Sequence, residues 1–264
     1  MVMIPQPRRN DLRQIPRRDV PVAGIVHLAA PRQVIATIAS AIPEVAHIPL
    51  PATDTLAGVR HALDEIREHL NRARSVVIGP GLGTDEQATT LLAALFGVAG
   101  GKVNSPTAIG FAAAQAVREE THSQESPLFA NEEATVVVDA DALNWLATQE
   151  SWWERVPAQR LILTPHPGEM ARLTRRDVAE IQADRIGAAR DAAMLWGCIV
   201  VLKGHRTVTA LPDGAVYINT TGGPAMAKGG SGDVLAGMVT SLVGQGFPVK
   251  DAVLAAVYLH GLSG

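Results

Sequence analysis

Apolar runs of three to five residues recur along the chain, and most are followed by a stretch whose apolar positions return every three or four residues. Residues 76–78 (VVI), 136–138 (VVV), 161–163 (LIL) and 199–202 (IVVL) contain no polar interruption. Such runs predict strands buried on both faces, and the helical patterns between them predict parallel crossovers. Earlier strands are expected at 22–28 and 45–50. Helices are expected at 32–42, at 56–73 with Val59, Leu63, Ile66 and Leu70 on one face, at 85–96, at 142–147 and, as one long element, at 178–196. Thr53 and Asp54 offer a cap for the second of these. Two alternating stretches, 207–211 and 215–218, flank Pro212-Asp213-Gly214 and predict a hairpin. Helices at 233–245 and 250–262 complete the pattern. The expected architecture is α/β: a mainly parallel sheet with helices on both faces. Residues 1–19, rich in arginine and proline, read as a poorly ordered lead-in to a single domain over 20–264. The least regular part is 97–131, with a helix expected at 104–120 and a polar loop at 121–131.

Composition narrows the function classes. The 264 residues carry 23 Lys+Arg against 26 Asp+Glu, a net charge of −3, which argues against a dedicated nucleic-acid binder. The single cysteine, Cys198, excludes an internal disulfide and an all-cysteine zinc site, and reads as a small core residue. Arg17 and Arg18 precede an apolar run from Val20 to Ala30 that imitates a secretion signal, yet Pro21, Gly24 and His27 interrupt it, and a buried strand is the expected reading. No apolar stretch has the length of a membrane span. A cytoplasmic protein without membrane or nucleic-acid partners is expected.

The chemistry concentrates after predicted strands. Residues 219–235, NTTGGPAMAKGGSGDVL, lead from a strand into a helix. Gly229, Gly230 and Gly232 let the backbone bend and leave N–H groups unobstructed; with Ser231 and the helix start they form a phosphate cradle or are simply a mobile loop. Asp233 stands where an anion would gather. It is either a helix cap or a carboxylate that takes a proton in catalysis. Glu169, with His166 before it, follows another strand. It can organise a magnesium ion through water, or simply serve as a first-turn helix acid. Lys203 ends a strand in the run Lys203-Gly204-His205-Arg206-Thr207 and either meets a phosphate or faces solvent. Gly79 to Gly83 is a close-approach loop over a ligand or a tight turn. Asp141 reads as an N-cap, and Asn144 reaches the same cleft or faces solvent.

At these motifs the chain resembles the ADP/ATP-dependent NAD(P)H-hydrate dehydratase family of the ribokinase-like superfamily. The blocks 77–83, 137–146, 163–173, 201–207 and 219–246 match in order, with a tail match at 258–261, and the resemblance runs over 22–264. It implies a ribokinase-like three-layer fold and a lyase that dehydrates hydrated NADH or NADPH with ADP or ATP as co-substrate and Mg2+ as cofactor. The hydrate would meet Gly83, His166 and Asp233. The nucleotide would meet Lys203 to Thr207 and Gly232, and Asp233 would be the catalytic carboxylate. The related kinases keep a magnesium-organising Glu at the position of Glu169. A homo-oligomer and functional partnership with a separate epimerase are also implied. Nothing before residue 22 matches the strand, glycine loop and alanine-rich helix with which the family usually begins, and the chain ends where the family continues, so either a fragment or a divergent gene product is expected, with an exposed gap in its sheet. The rival readings are a small-molecule kinase of the same superfamily and a non-catalytic nucleotide-binding protein.

Overall fold

The computed structural model describes residues 1–5, 24–97 and 133–264. The helix and loop expected within 97–131 lie almost wholly outside the described residues. Among the described residues, nine strands form one sheet in the order β3-β2-β1-β4-β5-β6-β7-β8-β9. They are β1 (Val2–Pro5), β2 (His27–Pro31), β3 (Ala46–Leu50), β4 (Ala73–Ile78), β5 (Thr135–Val138), β6 (Leu161–Leu163), β7 (Ile199–Leu202), β8 (Val208–Ala210) and β9 (Val216–Ile218). Strands β4 to β7 pair in parallel, as do β2 and β3, whereas β1 and β8 run against their neighbours. The hairpin of β8 and β9 is as the alternation predicts.

The helices are α1 (Arg32–Ile38), α2 (Leu56–Leu70), α3 (Glu86–Leu95), α4 (Ala140–Leu146), α5 (Pro167–Thr174), α6 (Val178–Ala183), α7 (Arg185–Trp196), α8 (Ser231–Gly244) and α9 (Val249–Leu262). Successive strand residues face opposite sides, and the two cores follow that alternation. Val77, Val137, Ile162 and Val201 pack against Leu235, Ala236, Val239 and Val243 of α8 and Val253 and Val257 of α9. Val76, Ile78, Val136, Val138, Leu161, Leu163, Val200 and Leu202 face the larger core, which includes Ile66 and Leu70 of α2, Leu92 of α3, Leu143 of α4 and Met170 of α5. A mainly parallel sheet with helices on both faces is therefore observed. The buried Ser75 hydroxyl donates to Thr240 O at 2.7 Å and ties β4 to α8.

Four expectations are corrected. Val2–Pro5 is not lead-in. It pairs antiparallel with both β2 and β4, with Met3 buried, so the sheet is continuous where a gap was expected. The rest of the lead-in, residues 6–19, lies outside the described residues. The strand expected at 22–28 begins only at His27 and runs to Pro31, because its partner β3 starts opposite at Ala46. Thr55, not Thr53 or Asp54, caps α2, its hydroxyl accepting from Gly58 N at 3.1 Å. The long helix at 178–196 is two helices. Asp184 leaves helical geometry (φ −139°, ψ 79°), and its carboxylate accepts from Gly187 N at 2.7 Å to start α7.

Candidate active site

Strands β4 to β7 end on one edge of the sheet, where parallel strands hold ligands. Main-chain bonds continue past them: Asp139 N–H donates to Ile78 O (3.1 Å), Thr164 N–H to Val138 O (3.1 Å) and Lys203 N–H to Pro165 O (2.8 Å). The first of these junctions requires a glycine. Gly79 has φ +122°, and a Cβ there would lie 1.8 Å from Asp139 O.

The strand ends bring three charged groups together out of water. Lys203 Nζ donates to Asp139 Oδ1 at 2.6 Å and lies 3.8 Å from Glu169 Oε2, with side-chain exposures of 17%, 1% and 5%. Two carboxylates share one ammonium. Burial pushes the Glu169 carboxyl above its ordinary value, Lys203 and the His166 N–H pull it back, and Asp139 adds to the rise. Among the described residues, Asp139 Oδ2 is buried with no hydrogen-bond partner. Removing Lys203 would leave both carboxylates buried and uncompensated, a loss of about 3–5 kcal/mol.

His166 and Glu169 close a capping box on α5. His166 Nδ1 accepts from Gly168 N (3.0 Å) and Glu169 N (3.3 Å), while Glu169 Oε2 accepts from His166 N at 2.7 Å. A ring whose Nδ1 accepts carries its proton on Nε2, which lies 3.5 Å from Glu169 Oε1.

Opposite these turns, α8 starts at a bare N-terminus. Gly230 is the N-cap residue at φ +82° and supplies no side chain. Among the described residues, the N–H groups of Gly232 and Asp233 have no acceptor. They and the helix dipole favour an anion. Asp233 is exposed, third in the helix, and makes no hydrogen bond or ion pair among the described residues. It is not a cap. A Cβ on Gly232 would lie 3.2 Å from Lys203 Nζ, so the buried charge cluster sits directly beneath this turn. The preceding loop is anchored to α9: Asn219 Nδ2 donates to Val257 O (3.2 Å), and the Thr221 hydroxyl to Tyr258 O (2.8 Å). Ser231 Oγ and His260 Nε2 are 3.4 Å apart, and burial lowers the His260 pKa. Between the two sides lies a cleft of about 830 Å3.

The order of blocks along the chain and the geometry of this cleft meet in one result: the NAD(P)H-hydrate dehydratase family model matches residues 118–264. The chain belongs to the NAD(P)H-hydrate dehydratase family. It is 40% identical over 244 residues to a bifunctional NAD(P)H-hydrate repair enzyme of Moorella thermoacetica, covering 92% of this chain and 39% of that protein. To an ADP-dependent (S)-NAD(P)H-hydrate dehydratase of Lactiplantibacillus plantarum it is 34% identical over 238 residues, covering 90% of this chain and 68% of that one. The fold matches a Bacillus subtilis ADP/ATP-dependent NAD(P)H-hydrate dehydratase, crystallised with ATP and Mg2+ and soaked with CoA. The TM-score is 0.64 at 31% identity, over 91% of this chain and 71% of that one. The chain spans 39–43% of the length of several relatives, bifunctional repair enzymes among them.

For a member of this family, the residues expected to carry function converge well. His166, Glu169, Lys203, Gly204, His205, Arg206, Thr207, Ser231, Gly232 and Asp233 all line the cleft. Gly83 and Gly230 are not among its lining residues. Gly83 N–H donates to Asp141 Oδ2 at 2.8 Å. This corrects Asp141, which is a first-turn residue of α4 rather than its N-cap; Asp139 holds that position. Asn144 is turned to α5, where its Oδ1 accepts from Arg172 Nε at 2.9 Å. Cys198 is buried, and burial pushes its thiol far above the ordinary range, as suits a core residue. Sequence reasoning missed the pairing of Lys203 with Asp139 and missed Arg185 altogether. The lysine's partner is distant in the chain, and no local motif marks the arginine. Among the described residues, no helix is long and apolar enough to cross a membrane.

Proposed function

We propose that the chain converts hydrated NADH or NADPH back to the intact dinucleotide at the expense of ADP or ATP. The observation that carries this reading is Asp233. It is an exposed carboxylate that, among the described residues, has no partner and stands beside two N–H groups without an acceptor, and it lines the same cleft as His166 and the 203–207 turn. A ring hydroxyl is a poor leaving group, and phosphorylation makes it a good one. Asp233 takes the hydroxyl proton while the hydroxyl oxygen bonds to the terminal phosphorus of the nucleotide. The bond from that phosphorus to its bridging oxygen breaks, releasing AMP from ADP or ADP from ATP. The N–H groups of Gly232 and Asp233 stabilise charge on the phosphoryl group in transit. The ring nitrogen then expels phosphate, and loss of a proton from the neighbouring carbon restores the dihydronicotinamide.

In this reading the hydrate meets His166, Asp233 and, at the rim, Gly83. The nucleotide meets the turn from Lys203 to Thr207 and the cradle of Gly230, Ser231 and Gly232. The residues present do not fit a directly ligated metal. Among the described residues no group of three His, Cys, Asp or Glu side chains is arranged to hold a metal ion, and Glu169 is buried with its carboxylate bonded to the His166 N–H and beside Lys203. Magnesium would instead be carried by the nucleotide phosphates, where it would offset their charge, and Glu169 would act on it only through water. A homo-oligomer, supported by exposed apolar side chains on α8 and α9 such as Val234, Tyr258, Leu259 and Leu262, belongs to the same proposal. So do a cytoplasmic location and partnership with an epimerase activity that supplies the reactive epimer.

The test is product analysis with hydrated NADH, Mg2+ and either ADP or ATP. Equal amounts of NADH and free phosphate are expected. A stable phosphorylated hydrate without NADH would make the protein a kinase, and nucleotide binding without turnover would make it a binding protein.

A further inference from the structure

We propose that Arg185 is a positioning residue that fixes the turn following β7, and with it the nucleotide side of the cleft; this rests on the reading that the 203–207 turn meets the nucleotide. The break between α6 and α7 makes Arg185 the first residue of α7 and sends its side chain to the end of β7. One guanidinium there holds three carbonyls. Nη1 donates to His205 O at 3.0 Å, and Nη2 donates to Leu202 O at 3.0 Å and Lys203 O at 3.2 Å. Gly204 fits that clamp. It has φ +145°, and a Cβ would lie 2.6 Å from Nη1 and 2.8 Å from Nη2. Any other residue at 204 would push the guanidinium away from the turn.

The turn needs such a support. Gly204, His205 and Arg206 are exposed, and Arg206 is also at positive φ (+55°). Its main-chain N–H groups are not used within the protein: among the described residues, those of Gly204, His205 and Arg206 have no acceptor. Arg185 takes the carbonyls and leaves those donors to the cleft that the turn lines. The two cations near the end of β7 thus differ in charge balance. Lys203 is compensated by Asp139 and Glu169, whereas no carboxylate reaches Arg185 among the described residues. A guanidinium stays charged under such conditions, so its bonds to the carbonyls are charge-assisted.

The test compares Arg185→Gln, Arg185→Lys and Gly204→Ala with the parent chain, using steady-state kinetics and amide hydrogen exchange. Loss of the clamp should raise the nucleotide KM about tenfold or more, the worth of one charge-assisted bond. The hydrate KM should hold, and kcat at saturating nucleotide should stay within about threefold. Arg185→Lys should recover part of the loss, because an ammonium donates but cannot bridge three carbonyls. Exchange in Arg185→Gln should quicken at the Lys203 and Asn219 amides, whose bonds to Pro165 O and Thr207 O hold the two ends of the turn, and stay unchanged in β7. An unchanged nucleotide KM in both Arg185→Gln and Gly204→Ala would overturn the proposal. So would exchange that rises evenly over the whole sheet, which would mark a purely structural arginine. Should Arg185→Gln fail to fold, Gly204→Ala displaces the same guanidinium while keeping it. If the parent chain shows no nucleotide-dependent turnover, the functional reading fails, and the exchange pattern alone decides the clamp.

Discussion

Two glycine-rich turns look alike along the chain and differ in what their glycines are for. In the turn after β4, Gly79, Gly81 and Gly83 all have positive φ, Gly79 is pressed against Asp139 O, and Gly83 is held by Asp141. The chain's own geometry accounts for each of them. In the turn before α8, Gly222 and Gly230 have positive φ, but Gly223 and Gly229 do not, and a Cβ on either would meet nothing within 4 Å. The fold does not require glycine at 223 or 229. Both line the cleft, so their lack of side chains serves what enters it. A glycine run therefore marks a binding loop only where the backbone itself leaves the glycine unexplained.

The largest effect expected from this contrast is on stability. Gly79→Ala forces a Cβ into a carbonyl and a side chain into the positive-φ region. A loss of about 3 kcal/mol or more follows from overpacking and strain together, visible as a lower melting temperature. If this variant melts with the parent chain, the first turn is not held by packing and the contrast breaks. Gly229→Ala sharpens it from the other side. Its melting temperature should shift by no more than about 0.5 kcal/mol would give, while the nucleotide KM rises several-fold because the methyl group occupies the cleft. A stability loss without a KM change would place Gly229 with Gly79.

The fold was legible where packing is uniform. The strands at 136–138, 161–163 and 199–202 are buried on both faces, so their patterns carry no polar interruption to misread. β1 was hidden because MVMIP has no periodicity of its own, and its pairing is decided by the place between β2 and β4. The break at Asp184 was hidden because the apolar repeat continues across it, while a single side-chain cap ends one helix and starts the next. The capping box on α5 was half visible, since Glu169 sits three residues after the cap position but histidine replaces the usual hydroxyl. Lys203 was read as a phosphate contact or a solvated turn residue. Its partner Asp139 is 64 residues away, and only the parallel order of β5, β6 and β7 brings the two within 2.6 Å.

The central claim is that Asp233 acts on the substrate rather than on the helix. Asp233→Asn tests it on one preparation, by melting temperature, nucleotide affinity and rate of NADH recovery. The Asp233 side chain makes no hydrogen bond among the described residues, so only its favourable place near the helix N-terminus is lost, about 0.3–1 kcal/mol. Nucleotide affinity should hold or rise, because a negative charge beside the phosphates is gone. The rate should fall by roughly 10² to 10⁴, the worth of a positioned general base. A folded Asn variant that binds nucleotide and restores NADH at close to the parent rate would contradict the account.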